Sequence, residues 1–413
     1  MCMCAGYTAA QKQVDEAPDD ASRNDGPCLN TRGVISLMRV LFPYIAQPHQ
    51  TLHSLPIAME IASRHPETEV HIACATQAHL DYAQSLASYY PESRASFELL
   101  HLPNLIRERV ERHGHTVFSR FASLFFNKKY FSTFQGIVVP ERTSLYLRKL
   151  GVRQPRLIWT RHGAGDRAIG FARDVKNFDY VLMAGKKVEL RLLAQGAIRP
   201  GHYHTGVYAK FDMVRRMRST SSRLFNNNRP TILYNPHFNA RLSSWPKMGL
   251  NILSHFANQD RYNLIFAPHY RLFDNRRTEA AQLKRAFGGH SHMIVDTGST
   301  RSIDMTYTSA ADLYLGDASS QIAEFLIHPR PCVFLNAHDV TWQGDENYRF
   351  WTLGPVLNQL ETFSEDIEGA FSSHDAFVNL QKDYIRDTFD LTGDEPTAPV
   401  GADAIVDFLR MAS

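Results

Sequence analysis

The sequence predicts an α/β protein built as two halves, each with its own parallel sheet, and three observations lead there. Short apolar, β-branched runs alternate with helical patterns over the first half, which is how parallel strands joined by helical crossovers read. The pattern breaks at 214–230, VRRMRSTSSRLFNNNRP, a polar, basic and turn-rich stretch, and then restarts. With 413 residues the chain is also too long for one ordinary core.

Taken in order, residues 1–32 are polar and rich in Asp, Asn, Ala and Gly, and are expected to be disordered. VISLMRVLF (34–42) reads as a strand. LHSLPIAMEIASRH (52–65) reads as a helix with Leu52, Leu55, Ala58, Met59 and Ile61 on one side. The runs at 69–75, 97–102, 136–140, 156–160 and 180–185 continue the strand series. After the break, TILYNP (231–236), NLIFAP (263–268), HMIVD (292–296), DLYLGD (312–317) and PCVFLN (331–336) form a second series. The expected division is therefore 33–213, a linker at 214–230, and 231–413, with the tail helix ADAIVDFLRM packing back on the first half.

Bulk composition excludes several classes. Hydrophobic residues make up 44% and charged residues 21%, as in an ordinary globular protein. Lys and Arg total 45 against 42 Asp and Glu, too even for a whole-surface polyanion binder, and no nucleic-acid-binding module is recognisable. The five cysteines are scattered, with neither a zinc-knuckle spacing nor a disulfide framework, and read as reduced thiols of a cytoplasmic protein. No apolar run is long enough to span a membrane, and the first residues lack the apolar core of a signal peptide.

The chemistry gathers at strand ends, where open α/β sheets bind ligands. RLIWT runs into RHGAGDRA, which supplies Arg161, His162, Gly163, Gly165, Asp166 and Arg167. TILYNP runs into HFNARLSSW, with His237 and Arg241, and NLIFAP into HYRLF, with His269 and Arg271. DLYLG runs into DASSQIAEF, where Asp317 reads as a helix N-cap and Ser319 and Ser320 as hydroxyls at a positive helix end. Neither G-x-x-x-x-G-K-[ST] nor a G-x-G-x-x-G after the first strand occurs. The expected ligand is thus a phosphate group held in a cleft by hydroxyls, amides, His and Arg, with no cofactor.

These residues carry a resemblance. ADLYLGDASSQIAEFLIHPRPCVFLNAHD, TRHGAGDRA, FAPHYRLF and TGVYAKFD resemble segments of the CDP-glycerol glycerophosphotransferase family, the teichoic-acid primases and polymerases. The similarity covers about 156–354. It implies a GT-B fold, two Rossmann-like domains with an interdomain cleft. It also implies transfer of glycerol phosphate from CDP-glycerol to a hydroxyl of a surface glycan or lipid-linked acceptor, without a bound metal. By the same resemblance His162 is the base at the acceptor and His269 contacts the donor diphosphate. Ser319 and Ser320 hold its phosphates, Glu324 turns toward the nucleoside, and His338 and Asp339 sit where the family has Tyr-Asp after the strand. The strand-end loops themselves add Arg271 and Asp317 on the donor side and Arg161, Asp166, His237 and Arg241 behind them. The chain departs from the family in Gly-Asp-Ala-Ser-Ser at 316–320 and in Ala267 before Pro-His. A nucleotide-sugar glycosyltransferase, a UDP-sugar 2-epimerase-like enzyme and a non-catalytic nucleotide- or glycan-binding relative therefore stay open.

A second surface is expected at 105–134, where Arg107, Arg109, Arg112, Arg120, Lys128 and Lys129 mix with Phe118, Phe121, Phe125, Phe126, Tyr130, Phe131 and Phe134. It reads either as a core helix with a solvated basic face or as a contact with an anionic membrane, peripheral on its inner face.

Overall fold

The computed structural model describes residues 37–112, 116–166, 171, 173–218, 223–390 and 395–411. The expected disordered segment 1–32, Arg167 and residues 219–222 of the expected linker lie outside them.

Two parallel sheets form. The first contains β1 (Met38–Tyr44), β2 (Thr68–Cys74), β3 (Ser96–Leu99), β4 (Gly136–Val139), β5 (Arg156–Thr160), β6 (Tyr180–Leu182) and β7 (Tyr203–His204), in the order β3-β2-β1-β4-β5-β6-β7. The second contains β8 (Thr231–Asn235), β9 (Asn263–Phe266), β10 (Met293–Val295), β11 (Leu313–Gly316), β12 (Cys332–Leu335) and β13 (Val356–Leu357), in the order β10-β9-β8-β11-β12-β13. Each order reverses beside the sheet's own first strand, between β1 and β4 and between β8 and β11. That reversal opens a crevice at the carboxyl ends of the strands. The two-residue edge strands β7 and β13 have no counterpart in the sequence reading.

Both faces of each sheet are covered, which is why the strands read as continuous apolar runs rather than alternating ones. In β1, Val40, Phe42 and Tyr44 face one core with Leu52, Leu55 and Ile61 of helix Thr51–Arg64. Leu41 faces the other core, with Leu124 and Val188. In β8, Ile232 and Tyr234 face Ile252 and Phe256, while Leu233 faces Ile322 and Phe325.

The expected linker is helical at its start, since helix Lys210–Arg218 runs into it. The first residues after β7 turn directly into that helix, and its apolar Met213 is needed in the first core. The C-terminal segment returns to the first half. Helix Val378–Phe389 lies so close to Gly185 that a Cβ there would meet the Thr388 carbonyl oxygen at 2.7 Å. Helix Ala398–Met411 buries Ile405, Val406 and Leu409 in the core beside helix Thr51–Arg64. Cys74 and Cys332 are buried free thiols.

Candidate active site

The strand ends of both sheets open on one cleft of about 510 Å³. From the first half the loops after β1, β4 and β5 contribute Gln50, Arg142 and His162, and from the second the loops after β8, β9 and β11 contribute His237, His269 and Ser319. The sequence-predicted residues Arg161, His162, Asp166, His237, His269, Arg271, Ser319, Ser320 and Glu324 all line it.

His162 is held in one tautomer. Its Nδ1–H donates to the Pro140 carbonyl at 2.5 Å, which leaves Nε2 as the acceptor, facing the Gln50 side-chain amide at 3.3 Å. Burial, opposed by that carbonyl and helped by the neighbouring Arg161 and Arg142, pulls its pKa down to about 4, so the ring is neutral at pH 7 with a lone pair available. Arg161, 9% exposed, stacks on Phe171 at 4.1 Å and donates through Nη2 to the Gly165 carbonyl at 3.3 Å. Its Nε and Nη1 have no partner among the described residues. Burial and then the adjacent Arg191 lower its pKa to about 10. An uncompensated buried guanidinium is expensive, and an anion in the cleft would remove that cost.

In the second half, His237 and His269 are set alike. The amide of Asn239 donates to His237 Nδ1 at 3.0 Å, and that of Arg271 to His269 Nδ1 at 3.2 Å. Each ring therefore carries its proton on Nε2, as a donor, and the rings stand 5.7 Å apart. Burial, with His237 and Arg271 nearby, lowers the pKa of His269 to about 3. Arg271 lies at the exposed rim over the Phe238 ring, 4.5 Å from its centroid.

Asp317 corrects the expectation of a helix cap. It is fully buried, and the helix that follows, Gln321–Phe325, begins with Ser320 at its N-cap. The carboxylate accepts from the amides of His237 at 2.8 Å, Ser244 at 2.6 Å and its neighbour Ala318 at 2.7 Å, and from the Ser244 hydroxyl at 2.9 Å. Asp317 thus joins the β8 and β11 loops at the point where strand order reverses. It does not reach the ligand space, and the 318 amide expected to hold an anion is already used. Burial raises its pKa to about 6 against the pull of these donors. Ser319 Oγ accepts from the Gln321 amide at 3.2 Å, and Ser320 is exposed toward the cleft. The helix is five residues long, so its dipole adds little and the hydroxyls carry the site.

Glu324 lines the cleft already paired: Lys210 Nζ contacts both its carboxylate oxygens at 2.7 Å and the Tyr208 hydroxyl donates at 2.7 Å. Asp166 is held likewise by Lys187 at 2.5 Å and the Tyr384 hydroxyl at 3.1 Å. Glu141 is bound to the amides of Thr143 and Ser144 and to the Ser144 hydroxyl. These three are the only acids lining the cleft among the described residues, and each is occupied.

Besides Asp317, three expected residues stay outside. Arg241 is exposed away from the cleft, because its amide closes a turn on the Asn239 side chain at 3.0 Å. His338 donates through Nε2 to the Ser243 carbonyl of the loop behind it, at 3.0 Å. Asp339 is an exposed turn residue at φ 52°. Missing from the sequence reading are His49, Gln50, His53, Arg142 and Lys210, which line the cleft. His49 stands between the halves, its ring 5.6 Å from that of His162 and 5.2 Å from that of Tyr270. Burial, with His162 nearby, holds His49 and His53 well below the usual histidine pKa. The two loops singled out in the sequence meet here too: a Cβ on Gly165 would sit 3.0 Å from Ser320 Cβ. Among the described residues no group of three His, Cys, Asp or Glu is arranged to hold a metal ion.

Comparison with solved structures gives an unambiguous architecture. The wall teichoic acid polymerase TagF, in a variant soaked with CDPG, superposes with a TM-score of 0.60 over 92% of this chain and 90% of that one, at 13% identity. The fold is GT-B. UDP-GlcNAc 2-epimerase from Neisseria meningitidis, bound to UDP-GlcNAc, matches with a TM-score of 0.58 over 91% of this chain and all of that one, at 12% identity. S. aureus MnaA with UDP matches at 0.53 over 91% and 96%, also at 12% identity. No family model matches the sequence. No curated protein matches it either.

Proposed function

We propose that the chain is a transferase that moves glycerol phosphate, or a related polyol phosphate, from CDP-glycerol to a hydroxyl of a glycan or lipid-linked acceptor. The observation that supports this most is His162: neutral, locked by the Pro140 carbonyl, with its Nε2 lone pair in a cleft whose other wall carries hydrogen-bond donors. In the proposed step the acceptor hydroxyl displaces Gln50 at Nε2 and gives up its proton there. Its oxygen attacks the glycerol-bearing phosphorus, the bond to the bridging oxygen breaks, and CMP leaves with the electron pair. His269, Ser319, Ser320 and Arg271 take up the charge on the diphosphate, without a metal in the step. Burial is the main cause of the low pKa of His162, and donor charge near Arg161 offsets the smaller share that the neighbouring arginines add.

The same reading assigns the protein to the cytoplasm, resting on the inner face of the membrane. Leu105, Val117, Phe118, Phe125 and Phe126 are exposed, and Arg109 and Lys128 stack on Phe118 and Phe125 at 4.6 and 5.5 Å. Among the described residues no helix is long and apolar enough to cross a membrane. Sedimentation with anionic vesicles, lost in Phe125→Asp with Phe126→Asp, checks this contact.

A UDP-sugar 2-epimerase is the second reading, since such enzymes share the fold over nearly the same span. It needs carboxylates free to move protons, and the three acids of this cleft are all engaged. Incubation of the purified protein with CDP-glycerol and UDP-GlcNAc, with and without acceptor, decides. Acceptor-dependent release of CMP supports the transferase. UDP release or sugar epimerisation without acceptor refutes it, and nucleotide binding with no turnover points to a binding protein.

A further inference from the structure

Arg161 continues β5 by one residue, its amide donating to the Leu182 carbonyl at 3.2 Å, so its side chain leaves the sheet on the same face as that of Trp159. Both line the cleft, and both are nine-tenths or more buried, at 9% and 3% exposure. Arg161 Nε and Nη1 and Trp159 Nε1 are all N–H donors, and none has an acceptor among the described residues. The surroundings add positive charge. Arg161 and Arg191 both stack on the Phe171 ring, at 4.1 and 4.0 Å, and neither makes an ion pair among the described residues. Arg191 spends Nη1 on the Asp166 carbonyl at 2.6 Å. The nearby carboxylates are taken, Asp166 by Lys187 and Glu141 by the amides of Thr143 and Ser144.

We propose that this corner of the cleft holds a small, singly charged inorganic anion of the chloride class, seated on Arg161 and separate from both donor and acceptor. Three features select this occupant. The unpartnered atoms are donors only, so the group they call for is a pure acceptor. A buried guanidinium is kept with a counter-charge, and no carboxylate of the described residues supplies one. The walls are aromatic, with Phe171 against the guanidinium and Trp159 stacked on Phe178, 5.8 Å between centroids at 12°. Desolvation grows with the square of the charge, so such walls admit a weakly hydrated monovalent ion more readily than a doubly charged oxyanion. The donor phosphates of the proposed reaction face Ser319, Ser320 and His269 of the other half, which leaves Arg161 to this ion. Seated there, the ion also offsets the repulsion that Arg161 exerts on a proton at His162, and only this role rests on the transferase reading.

The test follows the thermal midpoint of the full chain as sodium chloride replaces sodium gluconate at constant ionic strength, with Arg161→Met and Trp159→Phe beside wild type. The wild-type midpoint is expected to rise with the logarithm of chloride concentration, reaching about 3 °C at a hundredfold excess over the dissociation constant. Arg161→Met, which exchanges the lone buried charge for an apolar chain of similar length, is expected to fold, to lie at or above wild type in gluconate, and to ignore chloride. Trp159→Phe keeps the stack on Phe178 and loses only the N–H, so its curve should move to about threefold to tenfold higher chloride. A wild-type midpoint indifferent to chloride, or an equal response in Arg161→Met, overturns the proposal. So does Arg161-dependent stabilisation by orthophosphate at lower concentrations than by chloride. CDP-glycerol binding that weakens in proportion to chloride in calorimetry gives the guanidinium to the donor instead and overturns it too. None of these measurements reads turnover, so a failed transferase reading appears separately, as CDP-glycerol and acceptor yielding no CMP while the chloride response remains.

Discussion

Asp317 ties the loops after β8 and β11 together and does not cap the helix that follows it. The sequence Asp-Ala-Ser-Ser before a helix is the pattern of an N-cap, whose loss costs about 0.5–2 kcal/mol. Its true partners, the His237 and Ser244 amides, lie 80 and 73 positions away, and no local pattern reveals them. Removing the carboxylate strands several buried donors at about 1–3 kcal/mol each, offset in part by the relief of burying a charge. Asp317→Ala should therefore lower unfolding free energy by about 3–5 kcal/mol in urea titrations, and Asp317→Asn by about half that. A cap-sized loss would contradict the assigned role. The histidines give a pH prediction. Burial lowers the pKa of His49, His53, His162 and His269, so an unfolded chain takes up protons near its ordinary histidine pKa of 6.5 before the folded one does. Stability is then lost as pH falls from about 6.5 toward 4, by about 3 kcal/mol for His162 alone. Asp317, raised from 3.8 to about 6, acts in the opposite sense, its contribution being largest in acid and lost as pH rises through 6. Glu60 and Asp212 are raised by burial as Asp317 is, while His255, Glu67, Asp296 and Asp403 are lowered as the four histidines are, and the balance is acid-labile. The urea midpoint should be lower at pH 5 than at pH 7.5, and a flat profile would refute the histidine account. His53 escaped the sequence reading because it sits in the first turn of what reads as an ordinary core helix, and His49 because it lies in the short turn Pro48–Gln50 before that helix.

At the scale of elements, the strand runs were legible because both faces of each sheet are buried, so hydrophobicity marks each strand without ambiguity. β7 and β13 were not, since two residues hold no period. The loop contact between Gly163-Ala-Gly165 and Ser320 was not legible either, although both loops were singled out separately. Gly165→Ala would press its Cβ on Ser320, 3.0 Å away, with no positive φ to strain. It should weaken donor binding in calorimetry several-fold while leaving the thermal midpoint within a few degrees. Unchanged donor affinity would show that the contact does not shape the site. The tail helix is a packing element by the same reasoning: a Cβ on Gly136 would meet Leu409 at 2.7 Å. Gly136→Val should cost about 1–3 kcal/mol by overpacking, read by chemical unfolding.

For the whole molecule, the sequence carried the two-sheet plan but not the ties that bind it into one cleft. Glu324 was expected at the nucleoside, and Lys210 and Tyr208 hold it in the cleft wall as a paired carboxylate, a tie that no local pattern reveals. The physical reason is general: a carboxylate buried to 5% exposure is kept only with a partner. Lys210→Met should destabilise by about 3–5 kcal/mol, and adding Glu324→Leu should recover much of it, since a lone buried charge is worse than none. The proposed chemistry has a base on one half activate the acceptor against a donor held by the other. Turnover and donor binding of His162→Ala, measured side by side with CDP-glycerol and acceptor, test it most directly. The account predicts turnover reduced by about 10²-fold or more with donor affinity near wild type, whereas Ser319→Ala with Ser320→Ala should instead weaken donor binding by about 1–3 kcal/mol. Full turnover in His162→Ala, or loss of donor binding there with turnover per bound donor unchanged, would contradict it.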